Sequence, residues 1–314
     1  MAGRSRDFSR WGGATSPLFF ISMDIQFVFV QLFNGLALGS FYVLLSLGLT
    51  IIFGMLGVVN FAHGALYMLG AYCAYTWVQV YSGNFWIAVI LSPLIVGLIG
   101  MVMEGTLLRK LYDLPHYYNL LLTFGLMIFI EELIQIIYSP MGKPFNTPKE
   151  LLGSIDLGFI LFPKYRLFIL GVTTFLAIGI WLFLVKTKLG AMIRAGTDDS
   201  EMVDVLGIDI SKIFTLVFGM GAGLAGLAGV LAAPLQNIFP YMGMGILTEA
   251  FVVVIIGGMG SIFGSILGGI IVGELITMGV IFWPPLANTL IYIFMAAVLL
   301  LRPRGLFGRA KFFE

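Results

Sequence analysis

Few side chains in this chain have the types and spacing that chemistry needs. Asn60 and His63 stand three positions apart beside Gly64, where a hydrophobic stretch is interrupted. Glu249 and Glu274 are isolated acids in long apolar runs, and Glu131 and Glu132 close another. An amide beside an imidazole at a broken helix offers hydrogen bonds to a passing solute. A lone carboxylate in an apolar run suits proton or cation handling, or helix bonding. Catalysis fits less well. No further His, Asp or Ser positions accompany His63 to build a nucleophilic or metal centre. The single cysteine, Cys73, excludes an intrachain disulfide and any multi-cysteine metal site, and packed core is its expected place. No G-x-x-x-x-G-K-[ST] loop occurs, so the chain cannot hydrolyse ATP alone. No metal and no cofactor is expected on it.

The elements that position these residues are set by composition. Of 314 residues, 60% are hydrophobic and 11% charged, against about 25% charged in soluble domains. From Ile25 to Met103 there is no Asp, Glu, Lys or Arg, and from Ile213 to Leu301 only Glu249 and Glu274. A water-soluble fold cannot cover its surface from such segments, whereas a bilayer crossing needs only about 20 apolar residues. The net charge of +1 gives no reason to expect a nucleic-acid partner. The reading is an all-α polytopic membrane protein with about eight to ten transmembrane helices. Apolar runs cover 25–54, 62–80, 86–108, 117–138, 166–185, 213–233, 247–282 and 285–301. The first is long enough to be broken or strongly tilted. The run 247–282 is too long for one crossing and is interrupted by Gly257, Gly258, Gly260 and Gly264. Aperiodic runs argue against a β-barrel. Most of the 40 glycines are read as helix-packing positions, since small residues let backbones approach in lipid.

Orientation follows the excess of Lys and Arg in cytoplasmic loops. Arg109 and Lys110, the connection 186–212, and the tail carrying Arg302, Arg304, Arg309 and Lys311 are placed inside. That requires an even number of crossings between 212 and 302, which a split 247–282 run supplies. The loop 139–165 then lies outside, although it holds Lys143, Lys149 and Lys164. Glu104 beside Arg109, and Glu131 and Glu132 near an outer end, are read as acids snorkelling from helix ends. Residues 1–22 add no complete apolar span and precede Met23, so a dispensable extension is expected, with a basic cytoplasmic tail as the alternative. Residues 23–308 form the membrane domain and 309–314 a cytoplasmic tail.

The connection 186–212 is the polar exception, with nine charged residues. Met192, Ala195, Met202, Val205 and Leu206 recur at roughly helical spacing between Asp198, Asp199, Glu201 and Asp204. The pattern predicts a short amphipathic helix ended by Gly207. It is either a solvated connector or a docking surface for a cytoplasmic partner.

The run Gly190-Ala-Met-Ile-Arg194-Ala195, with Asp199, Met202 and Leu206-Gly207-Ile208, resembles the coupling loop of branched-chain amino acid ABC transporter permeases of the LivH type. Two further blocks agree. Asn34-Gly35, Gly39, Tyr42, Gly48-Leu49, Gly54 and Asn60-Phe-Ala-His63-Gly64 look like that family's N-terminal signature. Gly257-Gly258-x-Gly260-Ser261 through Gly273-Glu274, and the closing Arg302-Pro303-Arg304-Gly305-Leu306-Phe307-Gly308, look like its C-terminal one. Departures fall at Val203, where a small alanine is usual, and at Glu249, where a lysine is common.

The resemblance implies an importer of several parts in the inner (plasma) membrane of a prokaryote. Two related permeases, or this chain paired with itself, form the pathway, ABC ATPase subunits use ATP in the cytoplasm, and an extracytoplasmic binding protein delivers substrate. Arg194, Ala195, Asp199, Met202, Leu206 and Gly207 are then the ATPase-coupling residues, with the apolar ones filling a cleft and Arg194 and Asp199 fixing register. Asn34, Asn60, His63 and Gly64 are placed on the translocation pathway, against the plainer reading of a satisfied turn with Asn60 capping the next helix. Gly257, Gly258, Gly260 and Glu274 are assigned to gating or helix packing. The expected solute is a branched-chain or similar apolar amino acid. Urea, amides and small aromatic acids are the alternatives, and a proton-coupled secondary transporter is the rival class.

Overall fold

The computed structural model describes residues 25–308 apart from Asp113, Leu157, Phe159 and Ile160. The expectations for 1–22 and 309–314 lie outside the described residues.

Most of the described chain is helical. The helices are α1 (Ile25–Leu56), α2 (Ala62–Tyr75, extended by a π turn to Val80), α3 (Phe85–Thr106), α4 (His116–Tyr138), α5 (Lys164–Lys186), α6 (Lys188–Asp198), α7 (Ser200–Val205), α8 (Ile210–Ala232), α9 (Met242–Gly257), α10 (Ile262–Phe282) and α11 (Ala287–Leu301). Among the described residues, seven helices are long and apolar enough to cross a membrane, and α9 is a shorter apolar helix. A two-stranded antiparallel hairpin, Ser154–Asp156 with Leu161–Pro163, precedes α5.

The long run 247–282 splits as expected. Gly258 and Gly260 take positive φ (+101° and +80°), which turns the chain between α9 and α10, and Ser261 caps α10 by accepting from the Gly264 amide at 3.1 Å. Four helices, α8 to α11, therefore join the basic segment at 186–212 to the one at 302–304. α1 does not break. It runs 32 residues, about 48 Å at 1.5 Å per residue, because its glycines seat neighbours instead of bending it. A Cβ on Gly39 would lie 2.9 Å from the Gly269 carbonyl oxygen of α10, and one on Gly48 would lie 2.6 Å from that of Gly221 in α8.

The same device joins the rest. Gly70 of α2 would meet the Gly226 backbone of α8, and Gly100 of α3 would meet Ala222. α2 is largely enclosed, with Ala62, Ala65, Leu66, Met68 and Ala71 fully buried and Leu69 and Cys73 half-buried. Lipid contact falls on α3, α4 and α5, where Ile90, Ile136 and Phe175 are exposed.

Candidate functional site

One side of α1 lines a groove shared with α5 and α10. A cavity of about 620 Å³ is bounded by Leu36, Ser40 and Val43 of α1, Thr173, Thr174 and Trp181 of α5, and Ile262, Phe263 and Ile266 of α10. Next to it lies a cavity of about 270 Å³ lined by Thr50, Gly54, Arg194, Thr197 and Ser261, and Trp181, Ile262 and Phe263 belong to both. Beyond the other end, a cavity of about 230 Å³ is lined by Asn34, Leu38, Phe41, Arg166, Leu235 and Thr277. In the first two cavities the α1 residues share one side of the helix, whereas Asn34, Leu38 and Phe41 stand two positions out of phase with Leu36, Ser40 and Val43, about 200° round at 3.6 residues per turn, so the third cavity lies on the opposite side of α1. Walls of this depth are apolar with sparse hydroxyls, and those hydroxyls are tied to the backbone: Ser40 donates to the Leu36 carbonyl at 2.9 Å and Thr174 to the Leu170 carbonyl at 2.8 Å.

Of the four residues expected on a pathway, Asn34 lines a cavity. Its amide oxygen accepts from Arg166. Asn60 and His63 are fully buried, and His63 Nε2–H donates to the Leu45 carbonyl at 3.0 Å. Gly64 is a packing position, since a Cβ there would collide with the Gly243 carbonyl of α9. Asn60 does not cap α2: both polar atoms of its side chain are buried without a partner, and the first turn follows Phe61. Gly257 packs on Gly264, and Gly258 and Gly305 sit against one another at the closing turn. Glu274 faces protein as expected, with its carboxyl carbon 2.6 Å from where a Gly35 Cβ would be. Glu249 accepts from the Tyr42 hydroxyl at 2.7 Å.

The acids read as snorkelling are not all exposed. Glu104 and Glu131 are buried, while Glu132 is exposed. Glu104 is held by its neighbours: Arg109 at 3.2 Å, Tyr112 at 2.8 Å and Thr215 at 2.5 Å all donate to its carboxylate. Three donors from two elements compensate its desolvation. Burial and the Glu104 charge in turn push the Tyr112 phenol up.

At the basic end the amphipathic segment is two helices, not one. Thr187 caps α6 by accepting from the Gly190 amide at 3.0 Å. Extended backbone at Asp199 breaks the helix, and its carboxylate accepts from the Met202 amide at 2.9 Å to start α7. Gly207, at φ +82°, ends α7 as expected. Asp209 caps α8 and pairs with Lys212 at 2.9 Å, which holds its carboxyl below the usual range. Gly190, Ile193, Gly196 and Val203 face inward; Arg194, Ala195, Asp199, Met202 and Leu206 face out. Val203, the departure from the resembled pattern, is therefore inside the fold. Met202, Val205 and Leu206 are 56%, 83% and 71% exposed, an apolar ridge on a charged segment.

The sequence reading missed Arg166 and the groove hydroxyls Ser40, Thr173 and Thr174. A cation at the first position of an apolar run was the available signal for Arg166. The hydroxyls gave none, because nothing in the sequence says that α1 packs beside α5.

A sheaf of glycine-seated apolar helices, grooved on one side and ridged at its basic end, defines a multi-pass membrane permease. The match is specific. The family of permease components of the branched-chain amino acid transport system covers residues 31–301, and the chain belongs to it. It is similar to the high-affinity branched-chain amino acid transport permease BraD of Pseudomonas aeruginosa, 29% identical over 301 residues, which are 92% of this chain and 98% of the relative. It is also similar to LivH of Escherichia coli K12, 28% identical over 311 residues (92% and 99% covered), and to a probable LivH of Methanocaldococcus jannaschii, 29% identical over 286 residues (85% and 88%). No solved structure matches. The chain is accordingly a multi-pass inner-membrane transport subunit and not an enzyme.

Proposed function

We propose that this permease passes branched-chain or similar apolar amino acids along the α1–α5–α10 groove, with a second permease, related or identical, closing its open side. The observation that carries this is the groove itself. Two adjoining cavities follow one side of α1, with walls suited to aliphatic side chains and Arg194 as the fixed charge at their basic end. A solute with an apolar side chain gains from such walls, whereas a strongly ionic one would need rings of opposite charge.

A cytoplasmic ATPase docks on α6 and α7. The exposed Met202, Val205 and Leu206 ridge supports this, because an apolar ridge beside water is covered by a partner when the system is assembled. Arg194 and Asp199 flank it, with Asp199 also holding the helix break. ATP is used by that partner, and a binding protein supplies the solute from the other side.

Reconstitution of the permease with its ATPase, second permease and binding protein tests the reading. Leucine uptake should require ATP and be competed by isoleucine and valine. Uptake of urea, an amide or an aromatic acid without competition by leucine would replace the solute. Uptake that follows a pH gradient and ignores ATP would overturn the importer reading.

A further inference from the structure

The two cavities of the groove meet end to end, and their meeting point is aromatic. On α1 the larger cavity ends at Val43 and the smaller begins at Thr50, about 10 Å further toward the basic end at 1.5 Å per residue. α5 runs the same way, from Thr173 in the larger to Leu184 in the smaller. Three residues border both cavities: Trp181 of α5, and Ile262 and Phe263 of α10. Trp181 and Phe263 are exposed rather than packed into the bundle. Two large rings therefore stand at the junction. The other residues lining the two cavities are aliphatic, small or hydroxyl-bearing, apart from Arg194.

Phe263 is braced by the segment that follows α11. Its ring meets Phe307 edge to face, with centroids 5.1 Å apart and planes at 86°, an arrangement that aromatic pairs prefer. Phe307 is itself fixed through backbone. The Leu306 and Phe307 amides donate to the Ile256 and Gly257 carbonyls at 2.9 and 3.0 Å. Those carbonyls end α9, where a helix has no partners of its own to offer them. Gly305, at φ +74°, turns the chain into this contact. Past the junction, Ile193, Arg194 and Thr197 of α6 line the smaller cavity. The helix proposed above to dock the ATPase is thus a wall of the chamber beside the rings.

Apolar constrictions gate membrane pathways. We infer that Trp181 and Phe263 form the inner gate of the solute path, dividing the larger cavity from the chamber at the basic end, and that Phe307 positions Phe263. A branched aliphatic side chain passes when the rings part, and displacement of α6 by the ATPase moves the wall next to them. This deepens the permease reading above and rests on it.

The test uses the assembled transporter in inside-out vesicles, with Cys73→Ser and one new cysteine at a time. Thr174→Cys reports on the larger cavity, Thr197→Cys on the smaller, and Val217→Cys on the buried core of α8. An impermeant maleimide added to these vesicles meets the cytoplasmic face. Phe263→Ala or Trp181→Ala should speed labelling of Thr174→Cys at least threefold and leave Thr197→Cys unchanged. Phe307→Ala should speed it to a smaller extent, and Phe307→Tyr, which keeps an aromatic edge, should recover most of the slow rate. Val217→Cys should stay unreactive in every background. Leucine carried per ATP hydrolysed should fall at least twofold in the Phe263 and Trp181 variants, because solute slips back through an open gate. Labelling of Thr174→Cys that neither alanine variant changes overturns the gate alone. So does labelling of Val217→Cys that rises in step, which is a loosened bundle. Equal labelling with Phe307→Ala and Phe307→Tyr overturns the positioning role. In right-side-out vesicles leucine should protect Thr174→Cys, and failure to protect it overturns the groove as the solute path and the gate with it.

Discussion

The two sides of this molecule treat the same residue types in opposite ways. On the α2–α3–α8 side, glycine lets backbones touch, and the buried acid Glu104 is met by Arg109, Tyr112 and Thr215. On the α1–α5–α10 side, Gly35 leaves space beside a carboxylate that has no partner, and hydroxyls border cavities. In lipid there is no hydrophobic drive between helices, so close backbone packing at these glycines holds the first side together. The second side retains room along its groove, about 620 Å³ in one cavity, which is the space the proposed transport reading assigns to a solute. Structure and function are therefore separable by position in this fold.

The largest expected effect breaks the sealed side. Gly70→Leu would drive a side chain into the Gly226 backbone. Overpacking costs about 1–3 kcal/mol where neighbours can move, and here the neighbour is backbone, so little folded protein should be recovered from membranes. Next comes Glu104→Ala. Removing one partner of a buried pair costs about 3–5 kcal/mol. Arg109 is 40% exposed and can turn to water, so about 2–3 kcal/mol is expected from thermal unfolding of the purified permease. Glu274→Gln sharpens the contrast: it removes no partner, so thermal unfolding of the purified permease should be unchanged or slightly raised.

Effects at the basic end should touch coupling rather than folding. Ala195→Trp places bulk on the exposed face of α6. Surface changes of this kind stay within about 0.5 kcal/mol, yet uptake and ATPase co-purification should both drop. Unchanged values of both would remove α6 and α7 from the docking surface. Asp199→Ala deletes the cap on α7 for about 0.5–2 kcal/mol, a local loss that thermal unfolding should show, with Asp199→Ser restoring most of it.

What the sequence revealed, and what it withheld, follows the same division. Spans, the split of 247–282 and the cap at Gly207 were legible, because they depend on local hydropathy and on glycine conformation. The continuity of α1 was not. Glycine inside an apolar run reads equally as a hinge or as a seat, and only the facing residue on α8 or α10 decides between them. Glu104 was misread for a similar reason: Thr215, 111 positions away, supplies one of its bonds. The amphipathic period of 188–206 was visible, but the break at Asp199 depends on a side chain turning back to its own helix. Arg166 and Asn34 are 132 residues apart, so no spacing rule could join them.

Cysteine accessibility tests the division most directly. In the assembled transporter with Cys73→Ser, cysteines at Ser40, Thr174 and Thr197 should react with a water-soluble maleimide, since a solute path is wet. Cysteines at Ile128 and Phe129 in the middle of α4, which are 44% and 62% exposed but face the apolar surface, should stay unreactive. Labelling of the α4 positions with silence in the groove would contradict the account.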